Sequence, residues 1–204
     1  MGITERKERE KQEMRQNIID AAISMFAEEG YDKTSIRRIA DKIEYSPATI
    51  YLYYKDKDEL LYDVQKVVFE QLFAVFRKEV TATHPFERLQ QIAYSYVNFG
   101  RINPELYDLM FIIRAPMNVI EEQEAWKNGD DCFGFLLNCL DECIQQELIR
   151  FDNKMLAAIS IWGMMHGLVS LDVRCRLKVM QLQPEDVTEV VKAAVDQYLN
   201  LIKK

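Results

Sequence analysis

Glycine and proline are scarce in this chain, 7 and 5 among 204 residues, and few windows alternate apolar and polar residues as a half-buried strand would. Those shortages favour an all-α fold over a sandwich, a barrel or a parallel sheet. Histidine is scarcer still: only His84 and His166, far apart and on different segments. No nucleophile elbow, phosphate-cradling glycine loop or helical HExxH motif is present, so the commonest enzymatic machineries lack their signatures. An enzyme is the third reading at most, and no cofactor is expected. The four cysteines, Cys132, Cys139, Cys143 and Cys175, form no CxxC pair. They read as thiols of a reducing compartment. Cys139 and Cys143, one helical turn apart, are the two that a metal or redox signal would use, yet companion ligands are missing nearby. No run of about 18 apolar residues occurs, and charge begins at Glu5. Neither a membrane span nor a secretory signal is expected; a soluble cytoplasmic protein with no membrane partner is.

What remains is apolar bulk and unevenly placed charge. Apolar residues make up 49% of the chain, enough for a sizeable core, and the net charge is −7. That acidity speaks against nucleic acid only if it is uniform, and it is not. Between residues 33 and 57 stand Lys33, Arg37, Arg38, Lys42, Lys55 and Lys57 against Asp41, Glu44 and Asp56, six basic groups to three acidic ones. Phosphate contact needs a local patch, not a basic whole.

Within that patch lies the segment Ser46 to Leu60, SPATIYLYYKDKDEL. Ser46 is a good N-cap and Pro47 suits the first helical position. Ile50 and Tyr54, four apart, share a face that can pack inward. The other positions offer small residues, a hydroxyl and phenols where a merely solvated helix would carry Glu and Lys. Asp56 with Glu59 has the pattern of a capping box for the helix that follows. A short uncharged helix flanked by lysines suits a DNA major groove.

The surrounding chain gives this segment a setting. Residues 1–16 alternate charge at helical spacing, as a solvated helical extension or a frayed arm would. Ile18, Ala22, Met25 and Phe26 make an apolar face ended by Gly30. Thr34 or Ser35 opens a second helix carrying Ile36, Ile39, Ala40 and Ile43. Helix, short helix, turn, short helix is a helix-turn-helix unit. Phe26 to Leu61, with Phe26, Gly30, Thr34, Ile39-Ala40, Ser46, Tyr51, Tyr54, Lys57 and Leu60, closely resembles the DNA-binding domain of the tetracycline-repressor (TetR) family. The resemblance implies that Thr34 binds phosphate. It implies that Pro47, Ala48, Thr49 and Tyr51 face base edges, and that Ser46, Tyr53 and Lys57 hold the backbone. Two positions depart from the family pattern: Glu44 stands where glycine is usual, and Pro47 replaces a frequent lysine.

A long amphipathic helix follows, from Asp58 to about Thr83, and suits a connector between a head of residues 1–57 and a body of residues 58–204. Breaks at Pro85, Pro104, Pro116, Asn128-Gly129, Asp152-Asn153 and Pro184 divide the body into helices at about 86–101, 104–113, 120–150, 152–178 and 185–203. The body is rich in aromatics and methionines, including Met110, Phe111, Trp126, Phe133, Trp162 and Met165. Two readings stand side by side: ordinary core, and an adaptable small-molecule pocket oriented by Tyr94, Asn98, Tyr107, Arg114 and His166. The segment Ile161 to Leu171 resembles a C-terminal motif of one TetR subgroup, built on Trp162, His166 and Gly167. In the last helix, Val187 to Ile202 present a broad apolar stripe. The resemblance implies that this helix and the one at 152–178 pair with their symmetry mates in a homodimer. The expectation is a repressor of a palindromic double-stranded operator, released by a small apolar or amphipathic effector. The competing expectation is a DNA binder that is constitutive or answers to a protein partner.

Overall fold

A computed structural model describes residues 2–115, 128–181 and 183–204. Its helices are α1 (Ile3–Glu29), α2 (Ile36–Lys42), α3 (Pro47–Tyr51), α4 (Lys57–Glu79), α5 (Pro85–Ile102), α6 (Pro104–Phe111), α7 (Asp130–Gln145), α8 (Lys154–Val173) and α9 (Pro184–Ile202), with a 3₁₀ turn at Arg176–Met180. Among the described residues, extended pairing is limited to one isolated antiparallel bridge, Ile149 with Lys203. The fold is all-α, as the scarcity of glycine, proline and alternating windows implied.

The chain divides into two compact units, Met1–Phe69 with Glu105–Asn128, and Glu70–Pro104 with Gly129–Lys204. Packing thus groups α6 with the N-terminal helices, whereas the expected functional boundary fell at 57/58. Helix α4 contributes residues to both units.

In the first unit, α1 buries Ile18, Ala22, Met25 and Phe26 on one stripe. Ile36, Ile39 and Ala40 of α2, Ile50 of α3, and Leu60, Leu61, Val64 and Val68 of α4 are buried with them. Each large side chain removed from water contributes roughly 1.5–3 kcal/mol. Residues 4–13 of α1 are all exposed. This stretch is helix and not a frayed arm, supported by i,i+4 pairs Arg6–Glu10 at 2.7 Å and Arg9–Glu13 at 3.5 Å. Gly30 ends it at φ 87°, its N–H donating to Phe26 O at 3.0 Å.

In the second unit, α5 is the most enclosed helix and packs against α7, α8 and α9. Arg101 on α5 pairs with Asp172 on α8, and its Nη2 donates to Thr188 Oγ1 on α9 at 2.9 Å. Tyr94 donates to Asp196, and Ser160 and Tyr198 hydroxyls lie 2.7 Å apart. The chain end is held by Arg150 N–H to Ile202 O at 2.8 Å and Lys204 N–H to Leu148 O at 3.1 Å.

Three expected helix ends moved. The connector expected to reach about Thr83 stops at Glu79. The helix expected at 120–150 is described only from Asp130, and it stops at Gln145 because Glu147 turns left-handed at φ 53°. The helix expected to reach 178 stops at Val173, where Cys175 adopts φ 55°. Helix α8 also amends the expectation of no apolar stretch of membrane length. An 18-residue window within it has mean hydropathy 1.5, and by length and composition alone it could cross a membrane. Only 28% of that window is buried within this chain.

Candidate functional site

The helix-turn-helix is set by its caps. Ser35 accepts from Arg38 N at 3.3 Å and Ser46 accepts from Thr49 N at 3.2 Å. Asp56 accepts from Glu59 N at 2.8 Å, while the Glu59 carboxylate reaches back to Lys55 N at 2.6 Å, one residue before the cap. The turn between α2 and α3 passes through Glu44 at φ 60°. Tyr45 N–H donates to Ala40 O at 3.0 Å and Glu44 N–H to Asp41 O at 3.2 Å, the paired bonds of a Schellman closure.

Helix α3 is fixed from below. Ile50 is fully buried, and Tyr54, just past the helix, is 1% exposed. The Tyr54 hydroxyl donates to Asp63 Oδ2 at 3.0 Å, which Arg15 Nε also approaches at 3.1 Å. Burial and the adjacent Asp63 carboxylate hold that phenol protonated above its ordinary range. Above this anchor, Ser46, Ala48, Tyr51 and Leu52 are exposed, and Pro47, Thr49 and Tyr53 are half-buried. The Ser46 and Thr49 hydroxyls lie 3.0 Å apart and bond each other.

Two side chains expected on DNA are turned inward. Thr34 is 1% exposed, and its hydroxyl donates to Gly30 O at 3.0 Å and Met25 O at 3.3 Å. It ties the start of α2 to the end of α1, so its hydroxyl faces the corner and not solvent; the neighbouring Ser35 is exposed, its hydroxyl capping α2. Lys57 is half-buried, its Nζ donating to Tyr31 O at 2.7 Å and Thr34 O at 3.0 Å and lying 3.9 Å from the Tyr31 ring centroid. It is first a staple across the head. The other basic groups divide evenly enough to matter. Arg38 bonds Glu29 and Lys33 O, and Lys42 bonds Ser24 and approaches Glu28 at 3.9 Å. Lys33, Arg37 and Lys55 are exposed and make no ion pair among the described residues.

The body residues expected at an effector site fall in different units. Tyr107 and Met110 are buried in the first, with Phe111 half-buried and Arg114 exposed. Tyr107 and Phe111 rings lie 5.3 Å apart, and Phe69 meets Phe111 edge-on at 5.4 Å. In the second unit, Trp162 stands 6.1 Å from Phe133 and 6.3 Å from His166, and Met165 is buried. Asn98 is exposed on α5 between buried Val97 and Phe99, and the Tyr94 hydroxyl is committed to Asp196. Exposure takes Asn98 and Arg114 off any enclosed wall, and Tyr94 serves to join α5 to α9. Trp126 lies outside the described residues.

Sequence reasoning counted Tyr96 only among the body aromatics, yet two polar side chains of the second unit meet at its hydroxyl. Trp162 Nε1 donates to its hydroxyl oxygen at 3.1 Å, and that hydroxyl lies 3.3 Å from His166 Nδ1. Since the indole can only donate, the Tyr96 proton is available to His166 Nδ1, which favours the Nε2–H tautomer. Burial, helped by Arg174, pushes the His166 pKa down, toward the neutral ring this bond requires. The available signal was spacing: Tyr96 is two residues from Asn98 and so belongs to the buried side of α5. Cys139 and Cys143 are both buried, with Cys139 Sγ 3.3 Å from Pro85 O. Among the described residues no group of three or more His, Cys, Asp or Glu could hold a metal.

Residues 18–64 match the family model described as bacterial regulatory proteins, tetR family, and residues 89–198 match the tetracyclin repressor-like C-terminal domain. The HTH-type transcriptional regulator HbdR of Aromatoleum sp. is 36% identical over 86 residues, 42% of this chain and 38% of that protein. An uncharacterized HTH-type transcriptional regulator of Haemophilus influenzae is 28% identical over 130 residues, 63% of this chain and 64% of that protein. The matched segments thus span less than two thirds of these relatives' own length. Among solved structures, the transcriptional regulator FadR from Bacillus subtilis in complex with stearoyl-CoA superposes with a TM-score of 0.65 at 21% identity, covering 89% of this chain and 95% of that one. At that identity the likeness is one of fold.

Proposed function

The chain belongs to the TetR family of bacterial regulators, and from that premise we propose that it is a homodimeric, cytoplasmic repressor that binds a palindromic operator and leaves it when a small apolar or amphipathic molecule binds the body. The observation that carries this reading is the surface of α3. Ile50 and Tyr54 are sunk beneath it while Ser46, Ala48 and Tyr51 stand out, flanked by the uncommitted Lys33, Arg37 and Lys55. Pro47, Ala48, Thr49 and Tyr51 read base edges, where a ring or methyl can touch thymine methyls. Ser46 and Tyr53 hold the backbone, with the three free basic groups supplying the salt-sensitive attraction.

Residues 1–57 act as the reading head and 58–204 as the body. Dimer formation is supported by the exposed side of α8, where Met155, Leu156, Ile159 and Leu171 face solvent in a single copy. Gly163 and Gly167 lie between them, and a Cβ at either would meet nothing within 4 Å. A second α8 can therefore approach closely, and two heads about 34–36 Å apart would match an inverted repeat. The Trp162–His166–Gly167 segment keeps its proposed likeness to one subgroup.

The FadR structure carries stearoyl-CoA, and an amphipathic acyl compound is the effector class we carry over to this chain. The test is release of the full-length protein from its selected DNA while fatty acids, their acyl thioesters and aromatic compounds are titrated in. A compound that both raises the thermal midpoint and dissociates the complex supports the reading. If every stabilising compound leaves the complex intact, control lies elsewhere and the constitutive or partner-controlled alternative replaces it.

A further inference from the structure

Gln65 is a polar residue in the wrong place. Leu61, Val64, Val68, Phe69 and Leu72 form the buried stripe of α4, and Gln65 sits in the middle of it at 2% exposure. Its Nε2 donates to Leu109 O at 2.8 Å. That carbonyl needs a donor, because Ile112 N–H and Ile113 N–H at the end of α6 both go to Asp108 O. The carboxamide cannot be turned over without setting two carbonyl oxygens against each other, so its orientation is fixed. Its Oε1 is buried and has no hydrogen-bond partner among the described residues. A buried acceptor left in that state is costly, and a sequence that wanted only packing would place leucine or methionine there. Phe69, one turn further along the same face of α4, meets Phe111 of α6, which is half-buried, so the surroundings are aromatic and reachable at one edge.

We propose that Gln65 is an effector-binding residue whose Oε1 accepts a hydrogen bond from a hydroxyl or N–H group of a ligand with an aromatic or apolar body lying against Phe69, Tyr107 and Phe111. The inference rests on the effector reading above and narrows it: at this point the ligand is a donor, not a carboxylate, ester or ether. The same carboxamide holds Leu109 O, so a ligand engaging Oε1 acts on the link between α4 and α6.

The test uses two isomers of equal size, 4-butylphenol, which carries an O–H donor, and 4-propylanisole, which carries none, titrated calorimetrically into the full chain and into Gln65→Met. The wild type is expected to bind the phenol about tenfold more tightly than the ether, as one net hydrogen bond implies. In Gln65→Met the preference should fall below about twofold. Should the methionine variant not fold, the Gln65 side-chain ¹⁵N resonance of the wild type must shift with the phenol and not with the ether. Equal affinities, as when Oε1 keeps a bound water, overturn the proposal, as does a preference that survives Gln65→Met or failure of either isomer to bind. Whether the phenol also releases DNA is read separately. Binding through Gln65 without release would sink the repressor mechanism and leave this residue's role standing.

Discussion

Glu44 occupies the C′ position of α2 at φ 60°, where glycine is free of the Cβ penalty. The strain is of the order of 1 kcal/mol. Glu44→Gly is therefore expected to raise stability by about that amount in urea unfolding; a loss would mean that the carboxylate makes up for its backbone. Lys57 gives the opposite expectation. With its ammonium on Tyr31 O and Thr34 O, Lys57→Met should cost about 1–3 kcal/mol of stability whatever DNA is present. If unfolding were unchanged and only the salt slope of DNA binding fell, the lysine would belong to phosphate after all. At this scale the sequence was readable where local rules govern. Ser46 capping, the inward Ile50 and Tyr54, and the awkward Glu44 followed from spacing and backbone preference. Thr34 and Lys57 did not, because their partners are carbonyls of a corner that forms only once α1, α2 and α4 have packed.

Helix α8 shows how much an element's meaning depends on what lies beside it. It carries apolar residues on all sides yet buries little of itself. Ile159 is 58% exposed, on the side of α8 proposed to meet its symmetry mate. Ile159→Lys should raise the dimer dissociation constant about a hundredfold, roughly 3 kcal/mol for an unpaired charge in an apolar interface. Sedimentation equilibrium reads this, and an unchanged dimer would place the interface on another face. Helix existence was legible almost everywhere, because proline and apolar periodicity mark it. Helix ends were not: α7 and α8 stop at left-handed Glu147 and Cys175, residue types that announce no stop.

For the whole molecule, the Trp162–Tyr96–His166 contacts make stability depend on pH. The His166 pKa is depressed in the folded protein by burial and by Arg174. Above the ordinary histidine value near 6.5 the ring is neutral folded or unfolded, and stability is at its full level. As pH falls below that value the unfolded chain takes up a proton that the folded chain refuses, and stability is lost until the lower folded value is passed. Thermal midpoints should therefore fall from pH 7 to 5, and His166→Gln should flatten the part of that fall owed to this ring. A slope untouched by the substitution would assign it to other groups.

The division into units was the least legible feature. The sequence suggested a head ending near Lys57, yet α6 packs with the head's unit through Gln65 and Phe69, a pairing separated by some forty residues that no local pattern encodes. Body aromatics were visible as a class, while their partition between core and ligand wall depends on such distant pairings. The helix proposed to read DNA was the clearest as an element, since α3 and its caps are nearly contiguous in sequence. The most direct measurement addresses that surface: selection of DNA from a random pool by the purified full-length chain, followed by sequencing. Enrichment of an inverted repeat whose half-site preference shifts in Thr49→Ala is the predicted result. Recovery of unrelated fragments, or of a motif indifferent to every change on α3, would contradict it.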